Sequence, residues 1–249
     1  MVSQLSQKQL AKLDIVYPES DGKPMADNTK QFELIVEIKK GLDLVFMNDP
    51  QVFVAGDLFW YPVEGQSKIV TAPDVMVAMG RPKRDRGSYK QWEEDNIPPQ
   101  VVFEILSPTN SRTEMSKKLL FFERHGVEEY YLYDPEENVL EVWQRTFDGL
   151  SLMDFSDSWT SPRLGIRLDI ASGRLQLYNA DGTKFYSYIE VNLMLDQERQ
   201  RADQECQRAD QEHQRADQER QRADQVSQQL AEMQGMLKQY RDRFGELPQ

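Results

Sequence analysis

Two carboxylates stand where a core strand gains nothing from charge. Asp74 follows Pro73 at the start of the Val75/Val77 segment, and Glu104 interrupts the apolar run between Phe103 and Ile105. Burying an ionised carboxylate is costly unless it is paired or binds a cation. On neighbouring strands, two such groups can hold a hard divalent ion such as Mg²⁺, which keeps several waters and engages a substrate phosphate. A bound metal lowers the pKa of an attacking water and neutralises charge developing on phosphorus. Lys118 would complete the site. It falls within the Met115/Leu119/Phe122 stripe of the helix after the Glu104 strand, whereas Lys117 points elsewhere. Plainer readings compete at each position. Glu104 can lie on the wet face of a half-buried strand, Asp74 can be a turn residue, and Lys118 can be a snorkelling surface lysine.

A second chemical signal is the segment from Arg81 to Trp92, with five basic residues against one acidic. Phosphate contacts from Arg81, Lys83, Arg84 and Arg86, with Tyr89 or Trp92 stacking on a base, would suit a nucleic acid. The competing reading is a solvated loop, since Glu93, Glu94 and Asp95 follow directly and offset the charge.

The elements that must position these residues alternate between helix and strand. Asp27-Asn28 ahead of Leu34, Ile38, Leu42 and Val45 predicts a capped helix over about 29–46. Strand signals follow at 52–61, 74–78 and 101–106. A second helix is predicted over about 112–125, with Ser111 and Glu114 as a capping box and Gly126 at its C-terminal end. Tyr130 to Tyr133 and Val139 to Trp143 again look like strands. This order implies an α/β (α+β) class.

From Leu195 onward the chain changes character. Ala202, Ala209, Ala216 and Ala223 recur every seven residues, in register with Leu195, Leu230, Leu237 and Phe244. That pattern predicts one long helix, with those residues at heptad a positions. The d positions read Glu198, Glu205, Glu212, Glu219, Val226, Met233 and Tyr240, so the seam is apolar only near its end. The expected organisation is a domain over 1–190 and a heptad helix over 191–249, forming a coiled coil that pairs two copies through residues 195–244. A lone solvated helix held by pairs such as Glu205 with Arg208 is the alternative.

Composition excludes several classes. Of 249 residues, 30 are Lys or Arg and 42 are Asp or Glu, giving a net charge of -12. Residues 191–249 carry 9 basic and 12 acidic groups, so the tail is no generic DNA-binding arm. A single Cys, Cys206, with His125 and His213 makes neither an internal disulfide nor a usual Cys/His zinc site. No apolar run of membrane-spanning length and no signal-peptide pattern occurs, so a soluble cytoplasmic protein is expected.

Several motifs together resemble the Uma-two family of restriction endonuclease-like proteins, within the PD-(D/E)xK nuclease superfamily. They are Ala72-Pro73-Asp74-Val75, the run from Pro98 to Pro108 containing Glu104, Lys118 with Phe122, Gly126 to Tyr130, and Asp134-Pro135. Tyr17-Pro18, the stretch from Asp21 to Asp27, and Gly56-Asp57-Leu58 add to the likeness, which spans about residues 15–190. The resemblance implies a mixed sheet flanked by helices, with Asp74 and Glu104 as metal ligands. Three positions depart from the pattern. Leu106 stands where the superfamily places a lysine, so that role would pass to Lys118. Phe122 and Glu114 replace Tyr and Asp, and Glu114 is read first as a capping residue. Glu33 and Glu37 are candidates for an accessory acid of the first helix, which a solvated helical face explains equally well.

The expected function is therefore a Mg²⁺-dependent DNA endonuclease, with Mn²⁺ as a substitute ion. Asp74, Glu104 and the Ile105 carbonyl would hold the metal, and Lys118 would orient the water or stabilise the phosphorane. The rival expectation is a catalytically silent nuclease fold that acts as an assembly module through its coiled coil. A carboxylate enzyme such as a glycosidase has less behind it, since no motif specifies a sugar site.

Overall fold

The computed structural model describes residues 15–20, 22 and 28–245, with Phe244 described through its backbone alone. Asp27, and the Asp21 to Asp27 stretch apart from Gly22, lie outside the described residues. The chain divides into two compact units, Met1–Ser187 and Tyr188–Gln249.

In the first unit, helix α1 (Thr29–Val45) precedes strands β1 (Val52–Gly56), β2 (Trp60–Tyr61), β3 (Val75–Met79), β4 (Tyr89–Lys90) and β5 (Val101–Ile105). Helix α2 (Arg112–Arg124) follows, then β6 (Glu129–Asp134), β7 (Val139–Thr146), β8 (Gly149–Leu152), β9 (Ser158–Thr160), β10 (Arg167–Asp169) and β11 (Gln176–Tyr178). Six strands form a sheet in the order β1-β3-β5-β6-β7-β8. Within it β5 and β6 run parallel, while the other neighbours are antiparallel. The parallel pair is the one joined by α2, because a parallel connection must cross over the sheet. This is the α/β class expected from the order of elements and the mixed, helix-flanked sheet that the family resemblance implied.

Both helices start where side chains accept the first orphan amides. Asn28, in an extended conformation, accepts from Gln31 N at 2.8 Å. Ser111 accepts from Glu114 N at 3.1 Å, which is one half of a capping box. Gly126 follows α2 with a φ of 92°, a left-handed backbone that favours glycine. A side chain there would also meet Pro98 at 3.2 Å.

Alternation along the strands separates two cores. Val75 and Val77 of β3, with Phe103 and Ile105 of β5, pack beside Leu34, Ile35, Ile38 and Leu42 of α1. Met76 and Ala78, with Val102, Tyr130 and Leu132, pack beneath Phe122, Met115 and Leu119 of α2. Covering both faces explains why β5 is buried at every position, Glu104 included. Each fully buried large apolar side chain contributes about 1.5–3 kcal/mol.

The single strand predicted over 52–61 is two. Asp57 adopts a φ of 47°, and its N–H is shared between the carbonyls of Pro73 and Asp74 at 3.1 and 3.2 Å. The left-handed residue ends the β1 ladder and anchors the chain that leads into β3.

The second unit is one helix, α3 (Tyr188–Phe244), of 57 residues. Residues 193–243 are exposed, among them Val226, Leu230, Met233, Leu237 and Tyr240 at the apolar end of the heptads. Glu198 pairs with Arg201 at 2.8 Å across one turn. Among the described residues, no helix is long and apolar enough to cross a membrane.

Candidate active site

Asp74 and Glu104 arrive by the register of β3 on β5. Val75 lies opposite Phe103 and Met76 opposite Val102, so one further step sets Asp74 against Glu104. Both project to the α2 face, because Asp74 shares the parity of Met76 and Glu104 that of Val102. Asp74 Oδ2 accepts the Ile105 N–H at 2.6 Å, which extends the strand pairing through a side chain.

Glu104 is 3% exposed, so it does not sit on a solvated strand face. Lys118 reaches it from α2. From the stripe of α2 that carries Met115, Leu119 and Phe122, its Nζ donates to Glu104 Oε2 at 2.7 Å. The other carboxylate oxygen, Oε1, is buried and has no hydrogen-bond partner among the described residues.

Burial pushes the Glu104 carboxyl up to about 8, Lys118 draws it partly back, and Asp74 adds to the rise. For Lys118, burial alone would lower the ammonium, but Glu104 outweighs it and the net direction is upward. Lys118 therefore stays a cation, while one ammonium does not repay the desolvation of the carboxylate. A buried acid held so far from its ordinary value, beside a second acid and a lysine, marks a functional-site candidate.

Ile105 is held at both ends of its peptide units. Its N–H serves Asp74, and its carbonyl accepts from Gln31 Nε2 at 2.9 Å. Gln31 is a residue that sequence reasoning passed over. The signal was present, because Gln31 is a polar position on the same stripe of α1 as Leu34, Ile35 and Ile38. Tyr130 was also passed over; its hydroxyl is buried with no hydrogen-bond partner among the described residues, and burial pushes its pKa well up. An aromatic residue in a strand carries no such signal, and α2 must be in place to bury it.

The structure thus brings Asp74, Glu104, Lys118 and the Ile105 peptide together. It sends the other candidates elsewhere. Glu33 is exposed, and Glu37 pairs with Arg174 at 2.8 Å. Glu114 lies in the exposed first turn of α2 and adds only a like charge to the site.

The basic segment is largely spent within the fold. Arg84 Nη2 and Arg86 Nε each meet Glu94 Oε1 at 2.7 Å, and Arg81 Nε meets Oε2 at 3.2 Å. Arg86 also lies 4.0 Å over the Phe53 ring. Lys83 donates to the Phe46 carbonyl. Tyr89 is fully buried, its hydroxyl donating to Ile97 O at 2.8 Å. These groups anchor the loop rather than present a ready phosphate-binding surface.

Residues 26–171 match the Uma2 family, whose description is "Putative restriction endonuclease". The chain belongs to this family. A solved structure described as a "putative nuclease belonging to DUF820 from Anabaena variabilis ATCC 29413" is 21% identical, over 64% of this chain and 89% of that one, with a TM-score of 0.44. No curated protein matches the chain. The Uma2 match includes both carboxylates, Lys118 and Gln31, and ends before α3. Among the described residues, no group of three or more His, Cys, Asp or Glu side chains is placed to hold a metal. Any metal here would rest on two carboxylates, a carbonyl and waters.

Proposed function

We propose that the protein is a metal-dependent endonuclease that hydrolyses phosphodiester bonds of DNA. The observation that carries this reading is Glu104, a buried carboxylate with one oxygen on Lys118 and the other without a hydrogen-bond partner among the described residues, beside Asp74. An orphaned oxygen in a dry site fits a cation better than it fits a structural ion pair. The donor set of Asp74, Glu104 and the Ile105 carbonyl is all oxygen, which suits Mg²⁺ or Mn²⁺. The Ile105 carbonyl already accepts from Gln31 but has a second lone pair.

Bound there, the ion would acidify a coordinated water and offset charge on the scissile phosphate. The residues of the chain do the rest. Asp74 is oriented by the Ile105 amide, so its carboxylate need not reorganise on binding. Lys118, a permanent cation 2.7 Å from Glu104, can swing its ammonium toward phosphate oxygens as negative charge grows in the pentavalent state. Water adds its hydroxyl to phosphorus, and its proton ends on the displaced sugar oxygen. Lys118 thereby serves the role that Leu106 cannot.

The exposed apolar end of α3 supports a further part of the reading, in which two copies pair as a coiled coil through residues 195–244 and carry two centres. A DNA substrate implies the cytoplasm as the setting.

The test is calorimetric titration of Mg²⁺ and Mn²⁺ into wild type, Asp74→Ala and Glu104→Ala, followed by plasmid nicking. Binding lost in both variants, with nicking by the wild type alone, is the expected result. Absence of binding and nicking in the wild type would overturn it and leave an assembly module acting through α3.

A further inference from the structure

A cavity of about 480 Å³ opens between α2 and strands β6 and β7. Its size falls in the range of small-molecule sites. The register places it. Glu104 lies opposite Leu132, and Leu132 opposite Glu141, so these three form one row across β5, β6 and β7. At the usual strand spacing, Glu141 is about 10 Å from Glu104, within reach of one nucleotide. The neighbouring row brings Tyr130 beside Trp143. Leu106, Leu132 and Leu119 supply apolar walls, and Trp143 supplies an aromatic one.

The polar groups select what fits. Trp143 Nε1 donates to Glu141 Oε2 at 3.2 Å, which fixes the carboxylate at the cavity. Tyr130, also in the wall, has a buried hydroxyl with no hydrogen-bond partner among the described residues. Asp134, Glu137 and Glu141 make the lining acidic against Arg112 alone, so a phosphate group is repelled from the interior. A purely aliphatic ligand would leave the Glu141 carboxylate unanswered. A flat heterocycle carrying an amine answers it and stacks on the indole.

We infer that this cavity takes an unpaired nucleobase with an exocyclic amine, carried on the substrate strand next to the scissile phosphate. The inference rests on the reading of Asp74 and Glu104 as the hydrolytic centre, and it narrows the substrate to DNA with an extruded or single-stranded base. A base inside an intact duplex cannot reach such a pocket without leaving the stack. Arg112, exposed in the first turn of α2, stands at the lining where the backbone of that nucleotide would pass.

The test uses the full chain and DNA bearing 2-aminopurine at an unpaired position, followed by its emission without added metal. Wild type is expected to change the emission saturably. Ser116→Trp fills the cavity from an exposed position of α2, and Trp143→Leu removes the stacking wall. Each should weaken the response by about tenfold or more, the scale of one lost base–aromatic contact. Equal titration by wild type and Ser116→Trp would overturn the inference, as would a response to the free 2-aminopurine nucleoside but not to the DNA. Failure of the hydrolytic reading shows separately, as wild type that nicks nothing while the 2-aminopurine response stands.

Discussion

Glu94 and Glu104 are almost equally hidden, at 2% and 3% exposure, yet they titrate at opposite ends of the carboxyl range. Burial would raise Glu94, but hydrogen bonds from Arg86 and Arg84 outweigh it and hold the group at about 2. Burial raises Glu104 to about 8, against a single lysine and with Asp74 adding repulsion. The difference is a count of cations per oxygen. Both oxygens of Glu94 meet guanidinium groups, at 2.7 to 3.2 Å. One oxygen of Glu104 meets Lys118, and the other has no hydrogen-bond partner among the described residues. The first arrangement is complete and anchors a loop. The second leaves one oxygen without a partner among the described residues, the feature on which the proposed metal site rests.

The comparison can be broken most directly at its satisfied end. Glu94→Ala leaves Arg86, whose side chain is 4% exposed, without the carboxylate it meets, and leaves Arg81, 12% exposed, with Asp95 alone. A loss of about 3–5 kcal/mol in urea unfolding is expected. A change below about 1 kcal/mol would mean that the loop is held by its other contacts.

Acid tests the same residue. Its folded value of about 2 lies below the ordinary 4.5, so its stabilisation is present above 4.5 and is lost as pH falls toward 2. That window carries about 3 kcal/mol at most, and Glu94→Gln should flatten it in unfolding curves measured through the acid range.

At the unsatisfied end, Lys118→Met should cut nicking by about a hundredfold or more while leaving the fold intact. Stability should fall less than in Glu94→Ala, because Glu104, at about 8, can take up a proton instead of remaining a bare anion. Adding Leu106→Lys restores a lysine two residues after Glu104, and about tenfold of the lost rate should return. No recovery would separate the position of the charge from its presence. The smallest effect belongs to Arg84, whose side chain is 55% exposed. Arg84→Ala should cost less than about 1 kcal/mol in the same urea measurement.

Much of this contrast was written in the chain. Glu104 stood out because a charged residue broke an apolar run, and Lys118 because it fell on an apolar helical stripe. Local chemistry also foretold the caps at Asn28 and Ser111 and the glycine after α2, since those groups act on amides within a few residues. The Arg81 to Arg86 segment stayed open between two readings for the converse reason. Its charge was visible, but its partner Glu94 reaches it only after the loop folds back, and Gln91 to Glu93 must turn before Glu94 points inward. The break at Asp57 was hidden as well, because its left-handed backbone is stabilised by carbonyls sixteen and seventeen residues away.

By itself the sequence determined the periodicities: the helical stripes of α1 and α2, the alternation of the strands, and the seven-residue repeat that makes α3 one helix. These follow from near-neighbour geometry, which the order of residues specifies directly. Only tertiary structure decided which carboxylate is satisfied. The partners of Glu94, Glu104 and Ile105 come from other elements, and their number depends on register and packing. The cavity between α2 and strands β6 and β7 is of the same kind: its walls are rows across three strands closed by α2, a surface that exists only once those elements meet.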